Sequence, residues 1–521
     1  MKALLAKLYD GILKNRLTKW LKIPPEQTAY QKKKNCALHV FFVRCLVAIC
    51  KKLKITLFIG VTDFEAAFDY ISRRNLFIKL ANLGIGVCLL NALIEMYKVS
   101  DAYVFLDGEY SRKLAISAGV LQGSASSTLL FMAYTSDLIA IFREHFPAEE
   151  IINLFHILLH ADDSLILATS KDSLIRKFKK LDEYCLENNI KLQLSKCCFL
   201  AINSDEKSDI VLERGTICNE SEFVYLGSII TDSGNVSHDL KAEIKKKEKK
   251  LNKFFAFTTQ NHNAPLEVKE KVLDSCIVST ALNNCESWGN ANLKDLELKY
   301  RKSLKYMLGV RKSTCNEFPY VELAKPSITS QVYKRQLTFY RKCLSGNDFP
   351  LQRFIIKLAV DSKCSFIDHY VQLDLKYREP EDITAESLSQ MKQSIEKKAN
   401  NNKSRYKAYL EMNPTLSRPN IYSRYIQTFK LLPVIRLRTV SHNLEIERAR
   451  HTQHHVPQEQ RLCSCGVMED EQHFVLSCHH YTHIREKYDL QRLPLPQQLD
   501  DIDTPDFIYE LFRCRDLYLQ K

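Results

Sequence analysis

The stretch Leu158 to Thr169, LLHADDSLILAT, constrains this chain more than any other. Two adjacent aspartates, Asp162 and Asp163, stand between apolar runs rich in leucine and β-branched residues, each the length of a short strand. The pattern predicts a tight β-hairpin with both carboxylates at its tip. Like charges side by side repel unless a cation lies between them, and a divalent ion that prefers oxygen is the usual answer. A type I turn also favours aspartate. The pair therefore gains meaning only from what the rest of the chain supplies.

A third carboxylate comes from KITLFIGVTDFEAAFDYI, where Ile55 to Val61 is a buried strand pattern and Asp63 falls at its end. Carboxylates at strand ends of a sheet covered by helices point into a crevice. Residues Glu65 to Leu83 continue as an amphipathic helix in this reading. Residues 102 to 117 form a strand, a turn at Gly108 and a second strand. Gly119 to Ser127 is a glycine-flanked loop feeding a helix from about Thr128, which lets the backbone approach a ligand closely. A helix from Lys171 to Asn188, the segment KLQLSKCCFLAI with Lys196, and a strand with a turn, FVYLGSII, follow.

Charge narrows the partners. Lys and Arg number 75 against 61 Asp and Glu, a net +14 that attracts a polyanion. Residues 1 to 60 hold thirteen of the basic residues against Asp10 and Glu26 only, so most of the excess lies at the start. Met1 to Trp20 has amphipathic spacing (Leu4, Leu5, Leu8, Ile12, Leu13, Leu17), read as a core-packed helix with a solvated basic face. The loop PPEQTAYQKKK presents Gln27, Tyr30 and Lys32 to Lys34 as a solvated charge run or as a basic finger touching phosphate. No run of about 18 apolar residues exists, which excludes a spanning helix. Seventeen scattered cysteines without a signal segment indicate a reducing compartment, nucleus and/or cytoplasm.

This order of pieces resembles the reverse transcriptases of non-LTR (LINE-like) retrotransposons. Asp63 with Ala67, Phe68 and Asp69 is similar to the family's first carboxylate box. Gly119, Gln122, Gly123, Ser124 and Ser127 match its template-positioning loop, and Ala161, Asp162 and Asp163 match its [YF]ADD box. Lys196 matches its following lysine, and Tyr225, Leu226 and Gly227 its primer-grip turn. Farther on, NNCESW and KYRKSLKYMLGV resemble the helical region that follows the polymerase core. The chain departs from the pattern at His160, Thr128 and Gln193. The resemblance implies an α+β right-hand polymerase: fingers, an antiparallel-sheet palm with helices on one face, and a helical thumb. It implies synthesis of DNA from dNTPs on an RNA template and a DNA primer. Asp63 and Asp162 would hold two Mg²⁺ ions (Mn²⁺ as a substitute), with Asp163 an outer or alternate ligand. Phe68 would exclude a 2′-hydroxyl or is a core aromatic; Lys196 would protonate pyrophosphate or is an exposed lysine. Gln122, Gly123 and Lys32 would meet the incoming substrate.

Beyond the core, residues 236 to 345 read as a basic helical thumb and connection, with seven lysines in KAEIKKKEKKLNK. Residues 346 to 455 are weakly patterned helices in which EKKANNNKSRYK is a linker or loop. Cys463, Cys465, His473 and Cys478 read as a closed Cys₃His structural zinc site over residues 456 to 490, or as two buried thiols and a surface histidine. The phrase EDEQHFVLSC resembles the family's zinc knuckle. Residues 491 to 521 form a tail in which Pro505-Asp506 is a turn, too short for an endonuclease, so the chain resembles a polymerase cut from a longer polyprotein. The rival reading is a decayed or domesticated copy that binds nucleic acid without catalysis. Survival of all three aspartates and Gln122 argues for the enzyme. A maturase or telomerase-like polymerase would share the palm, but not the knuckle after a long helical region.

Overall fold

The computed structural model describes residues 4–98, 101–146, 155–345, 347–424, 427–450, 456–488, 495–501 and 503–519. The chain folds as two compact units, residues 1–240 with 284–290 and 339–372, and residues 241–283 with 291–338 and 373–521.

The first unit is built on a six-stranded sheet in the order Ile210–Leu212, Gly215–Asn219, Cys198–Ile202, Leu57–Thr62, Asp163–Ala168, Ile157–His160. Every pairing is antiparallel except that of Cys198–Ile202 with Gly215–Asn219. The central strands are apolar on both sides, so the sheet needs two covers. Phe58, Ile166, Ala168, Phe199 and Ala201 face one core with Leu174, Phe178 and Phe131. Their neighbours Leu57, Ile59, Leu165, Leu167 and Leu200 face a second core with Phe41, Phe42 and Ile355. Helices thus lie on both faces, not on one. The second cover includes helix Pro350–Asp361, so residues 349 to 372 contribute to the core of this sheet.

Local departures have local causes. The helix expected over Glu65 to Leu83 is broken into Ala67–Tyr70 and Arg73–Asn82, because Ser72 caps the second piece by accepting from the Asn75 amide. In the first helix, Leu4–Trp20, only Leu13 and Leu17 of the six apolar positions are buried. A short ribbon pairs Phe105–Leu106 with Glu109–Tyr110 around Asp107 and Gly108, as the turn at Gly108 required.

The second unit is helical. Glu322 lies wholly buried and pairs with the buried Arg438, while the hydroxyls of Tyr409 and Tyr422 and the amide of Asn413 donate to the same carboxylate. The stretch EKKANNNKSRYK is mostly helix: Pro380–Asn400 runs through Asn400 and Ser404–Met412 resumes, leaving a three-residue break. Pro505-Asp506 opens helix Thr504–Leu519 instead of making a turn, since proline is tolerated in a first helical turn. The lysine-rich segment lies in helix Val236–Gln260. The side chains of Lys246, Lys247, Lys249 and Lys250 fall outside the described residues. Among the described residues no helix is long and apolar enough to cross a membrane.

Candidate functional site

Strand Leu57–Thr62 pairs with Asp163–Ala168 so that Thr62 faces Ser164. One step further along that register, Asp63 lies opposite Asp163 at the same end of the sheet, just past the last pair of the two strands. Asp162 occupies the two-residue turn between His160 and Asp163, whose partner Ala161 adopts φ 61°. Three carboxylates therefore converge from two neighbouring strands. Partial desolvation, and after it the charges of Asp162 and Asp63, hold the Asp163 carboxyl above the usual carboxylate range. Lys196 reaches into the cluster, its ammonium 3.1 Å from Asp63 Oδ2. The short helix Leu194–Lys196 is aimed there by a hydrogen bond that the Gln193 backbone amide donates to the Asp63 carbonyl at 2.8 Å. Such a set of crowded oxygens is the donor chemistry that Mg²⁺ requires.

The aspartate turn rests on residues whose supporting role the sequence pattern did not show. Gln27, read from sequence as part of an exposed basic finger, is 2% exposed and faces inward. Its Oε1 accepts from the amides of Ala29 at 3.0 Å and Ala161 at 3.1 Å. The flanking backbone exchanges bonds with Leu159 through Thr28 and Glu26. His160, where the family has Tyr or Phe, lies with Nδ1 2.9 Å from the Thr28 hydroxyl and Nε2 3.5 Å from Cys36 Sγ. Burial lowers its pKa against the pull of Asp162, so it is a neutral polar peg. Tyr30 and Lys32 remain exposed on that loop.

The loop after Gly119 is shaped by two contacts. A Cβ on Gly119 would come within 2.7 Å of the Asp69 carbonyl, and its φ is 77°. Only glycine lets the loop press on the Phe68–Asp69 backbone. Gln122 Nε2 then donates to Asp69 Oδ1 at 2.9 Å, and Gly123 adopts φ 76°. Phe68 stacks on Phe131 with ring centroids 4.6 Å apart and stays partly accessible. The far end of the loop is held by Asp10, a buried carboxylate accepting from Ser124 Oγ, Ser126 Oγ and the amides of Ala125 and Ser126 at 2.5 to 3.2 Å. Nothing in the local sequence pointed to Asp10 except its rarity among the basic residues around it.

Tyr225, Leu226 and Gly227 form the hairpin joining Glu222–Tyr225 to Ser228–Thr231. Both turn residues have positive φ, 48° and 81°, and Asn284 Nδ2 donates to the Leu226 carbonyl at 2.8 Å. Tyr225 itself points into the core and is 2% exposed, so only the turn backbone is left to meet a ligand.

In the second unit, Cys463, Cys465, His473 and Cys478 offer ligand atoms that all lie within 4.8 Å of one another. The Sγ of Cys478 lies 3.8 Å from that of Cys463 and 4.0 Å from that of Cys465. A tetrahedron with Zn–S bonds of about 2.3 Å has edges of about 3.8 Å, so the thiols are spaced for zinc. The Cys-x-Cys spacing is accommodated by a tight turn in which the Gly466 amide donates to the Cys463 carbonyl at 2.9 Å. Ser477 Oγ lies 3.4 Å from His473 Nδ1, leaving Nε2 for a metal.

Residues 2–230 match the sequence profile of the family described as reverse transcriptase (RNA-dependent DNA polymerase). Among curated proteins, the chain is 24% identical over 240 residues to the Retrovirus-related Pol polyprotein from type-1 retrotransposable element R2 of Bradysia coprophila, covering 43% of this chain and 27% of that protein. It is 21% identical over 262 residues to the corresponding polyprotein from type-2 retrotransposable element R2DM of Drosophila melanogaster, covering 48% and 25%. The chain thus spans about a quarter of the length of these relatives. Solved structures with some likeness include telomerase from Candida tropicalis with a fragment of telomeric RNA (TM-score 0.35, 12% identity, 75% of this chain and 57% of that one). Telomerase from Candida albicans is similar at TM-score 0.31 and 11% identity, over 71% and 58%. The segment that matches the profile contains the sheet, all three aspartates and the Gly119 loop, and in this segment the chain is similar to reverse transcriptases, including those of the two R2 retrotransposable elements.

Proposed function

We propose that the chain is an RNA-directed DNA polymerase that extends a DNA primer on an RNA template. The observation that carries this reading is the convergence of Asp63, Asp162 and Asp163 at one end of the sheet, with the Asp163 carboxyl raised by partial burial and by its two neighbours. Asp63 and Asp162 would hold Mg²⁺, with Asp163 as outer or alternate ligand; when bound, the ions would activate the primer hydroxyl and neutralise the triphosphate. The primer 3′-oxygen attacks the α-phosphorus of a dNTP, a new P–O bond forms, and pyrophosphate leaves. Lys196, exposed and 3.1 Å from Asp63, would give a proton to the leaving pyrophosphate. Phe68, stacked on Phe131 and partly accessible, would press on the sugar and reject a 2′-hydroxyl. Gln122 and Gly123 would support the template-paired base, Lys32 the triphosphate, and the Leu226–Gly227 turn the primer backbone. In the second unit the three thiolates and His473 would hold one structural Zn²⁺.

Primer extension by purified protein, with an RNA template, a DNA primer, dNTPs and Mg²⁺ or Mn²⁺, tests the assignment. Extension that disappears in Asp162→Asn supports it. A folded parent that binds the primer-template but never extends it favours the non-catalytic reading instead.

A further inference from the structure

A cavity of about 660 Å³ in the second unit is walled by Lys403, Arg405, Arg450 and Arg461, with Tyr406 and Ser404 between them. Four basic side chains and no acidic one line it. Arg405 donates to the buried carboxylate of Glu447 at 2.8 and 3.1 Å, and Arg450 reaches the other oxygen of the same carboxylate at 2.5 Å. Both guanidiniums draw on Glu447, and Arg450 also feels the charge of Glu471. Arg461 is only 5% exposed, and its hydrogen bonds run to carbonyls: Val456 at 2.9 and 3.1 Å and Ile446 at 3.0 Å. Among the described residues no carboxylate faces it. Of the other acids nearby, Glu317 is held by Lys398 and Tyr406, and Glu471 is hydrogen-bonded to His442 at 2.7 Å while also facing Arg450.

A buried guanidinium without a counter-ion is costly unless something anionic completes the site. Guanidinium forks match phosphate oxygens in pairs, and a group of three with a lysine beside them is suited to more than one phosphate at once. The volume falls within the range of ligand sites. We propose that this cavity is a second phosphate-binding site, separate from the carboxylate cluster, whose ligand presents phosphate oxygens either from a nucleic-acid backbone or from a free polyphosphate. Arg461 forms its floor, Arg450 and Arg405 its sides, and the exposed Lys403 its mouth.

The test uses the full chain and two probes, inorganic tripolyphosphate by calorimetry in Mg²⁺-free buffer and a labelled single-stranded RNA by anisotropy across a salt series. The variants are Lys403→Glu, whose exposed side chain can change without harm to the fold, and Arg450→Gln, with melting curves to verify folding. Lys294→Glu, exposed in the same unit and outside the cavity wall, controls for net charge. Tripolyphosphate affinity is expected to fall about tenfold in both cavity variants and less than about twofold in the control. If the RNA salt slope also drops by about one for each phosphate no longer neutralised, the ligand is a backbone phosphate. If only tripolyphosphate binding drops, it is a free polyphosphate. Cavity variants that bind both probes as the control does would overturn the proposal.

Discussion

The hydroxyl of Tyr225 lies 3.0 Å from Nδ1 of His39, inside the core and 186 residues away along the chain. The two rings stack 6.4 Å apart, and His39 meets the His160 ring edge-on at 6.1 Å. A polar chain thus links the aspartate turn to the Leu226–Gly227 hairpin. Replacing Tyr225 by Phe would leave Nδ1 of the buried His39 ring without this partner. Tyr225→Phe should cost about 1–3 kcal/mol of stability in chemical denaturation, and a variant as stable as the parent would show the bond to be idle.

The same histidine sets a pH dependence. Burial, and then the nearby His160 and Lys34, hold its pKa down to about 3 from an ordinary 6.5. A depressed folded-state pKa means that the unfolded chain takes up a proton that the native state refuses, so stability is lost as pH falls from about 6.5 toward 3. His39→Gln should flatten that fall. Denaturation midpoints at several pH values in this window, compared between parent and variant, provide the check.

Asp163 should behave as a functional acid and a structural burden. Its carboxyl is raised by desolvation and by two like charges, so in metal-free buffer its ionised form destabilises the fold. Asp163→Asn is expected to melt at the parent's temperature or slightly above it while losing about a hundredfold or more in primer extension. A lower melting temperature with full activity would reverse the roles assigned to it.

Asp10 should be needed for the loop rather than for chemistry. It accepts from Ser124, Ala125 and Ser126 while nine-tenths or more buried. Asp10→Asn turns one of the two accepting oxygens into a donor that faces donors, at a cost of about 2–4 kcal/mol. Limited proteolysis should show faster cleavage between Gly119 and Ser127, and unchanged cleavage there would contradict the tether.

The cysteine cluster predicts about one zinc per chain, lost in Cys478→Ser. A chelator should raise hydrogen exchange across residues 456 to 488 while the sheet of the first unit stays protected. Metal analysis returning no zinc in the parent would reduce these residues to ordinary thiols.

What could be read from the sequence was what repeats locally. The strands Leu57–Thr62 and Asp163–Ala168, helix Lys171–Glu187 and the hairpin at Tyr225 announce themselves because apolar periodicity and turn residues are visible within ten or twenty positions. The three aspartates were legible for the same reason, since each stands at the end of such a pattern. Where the pattern was polar, as in EKKANNNKSRYK, composition suggested a loop and packing made a helix.

The tertiary structure alone decided which polar residues are supports and which are exposed. Asp10 and Glu26 are the only acids among the first sixty residues, and folding buries both, so the basic charge around them is less compensated at the surface than the sequence count implies. Gln27, His39 and Glu322 likewise carry no sequence signature, because a buried hydrogen bond joins partners more than eighty residues apart and neither neighbour in sequence reports it. Burial of a polar group is permitted only where a distant partner satisfies it. Local sequence therefore determined the strands, the helices and the carboxylates that end them, while long-range closure of the chain determined which side chains hold those carboxylates in place.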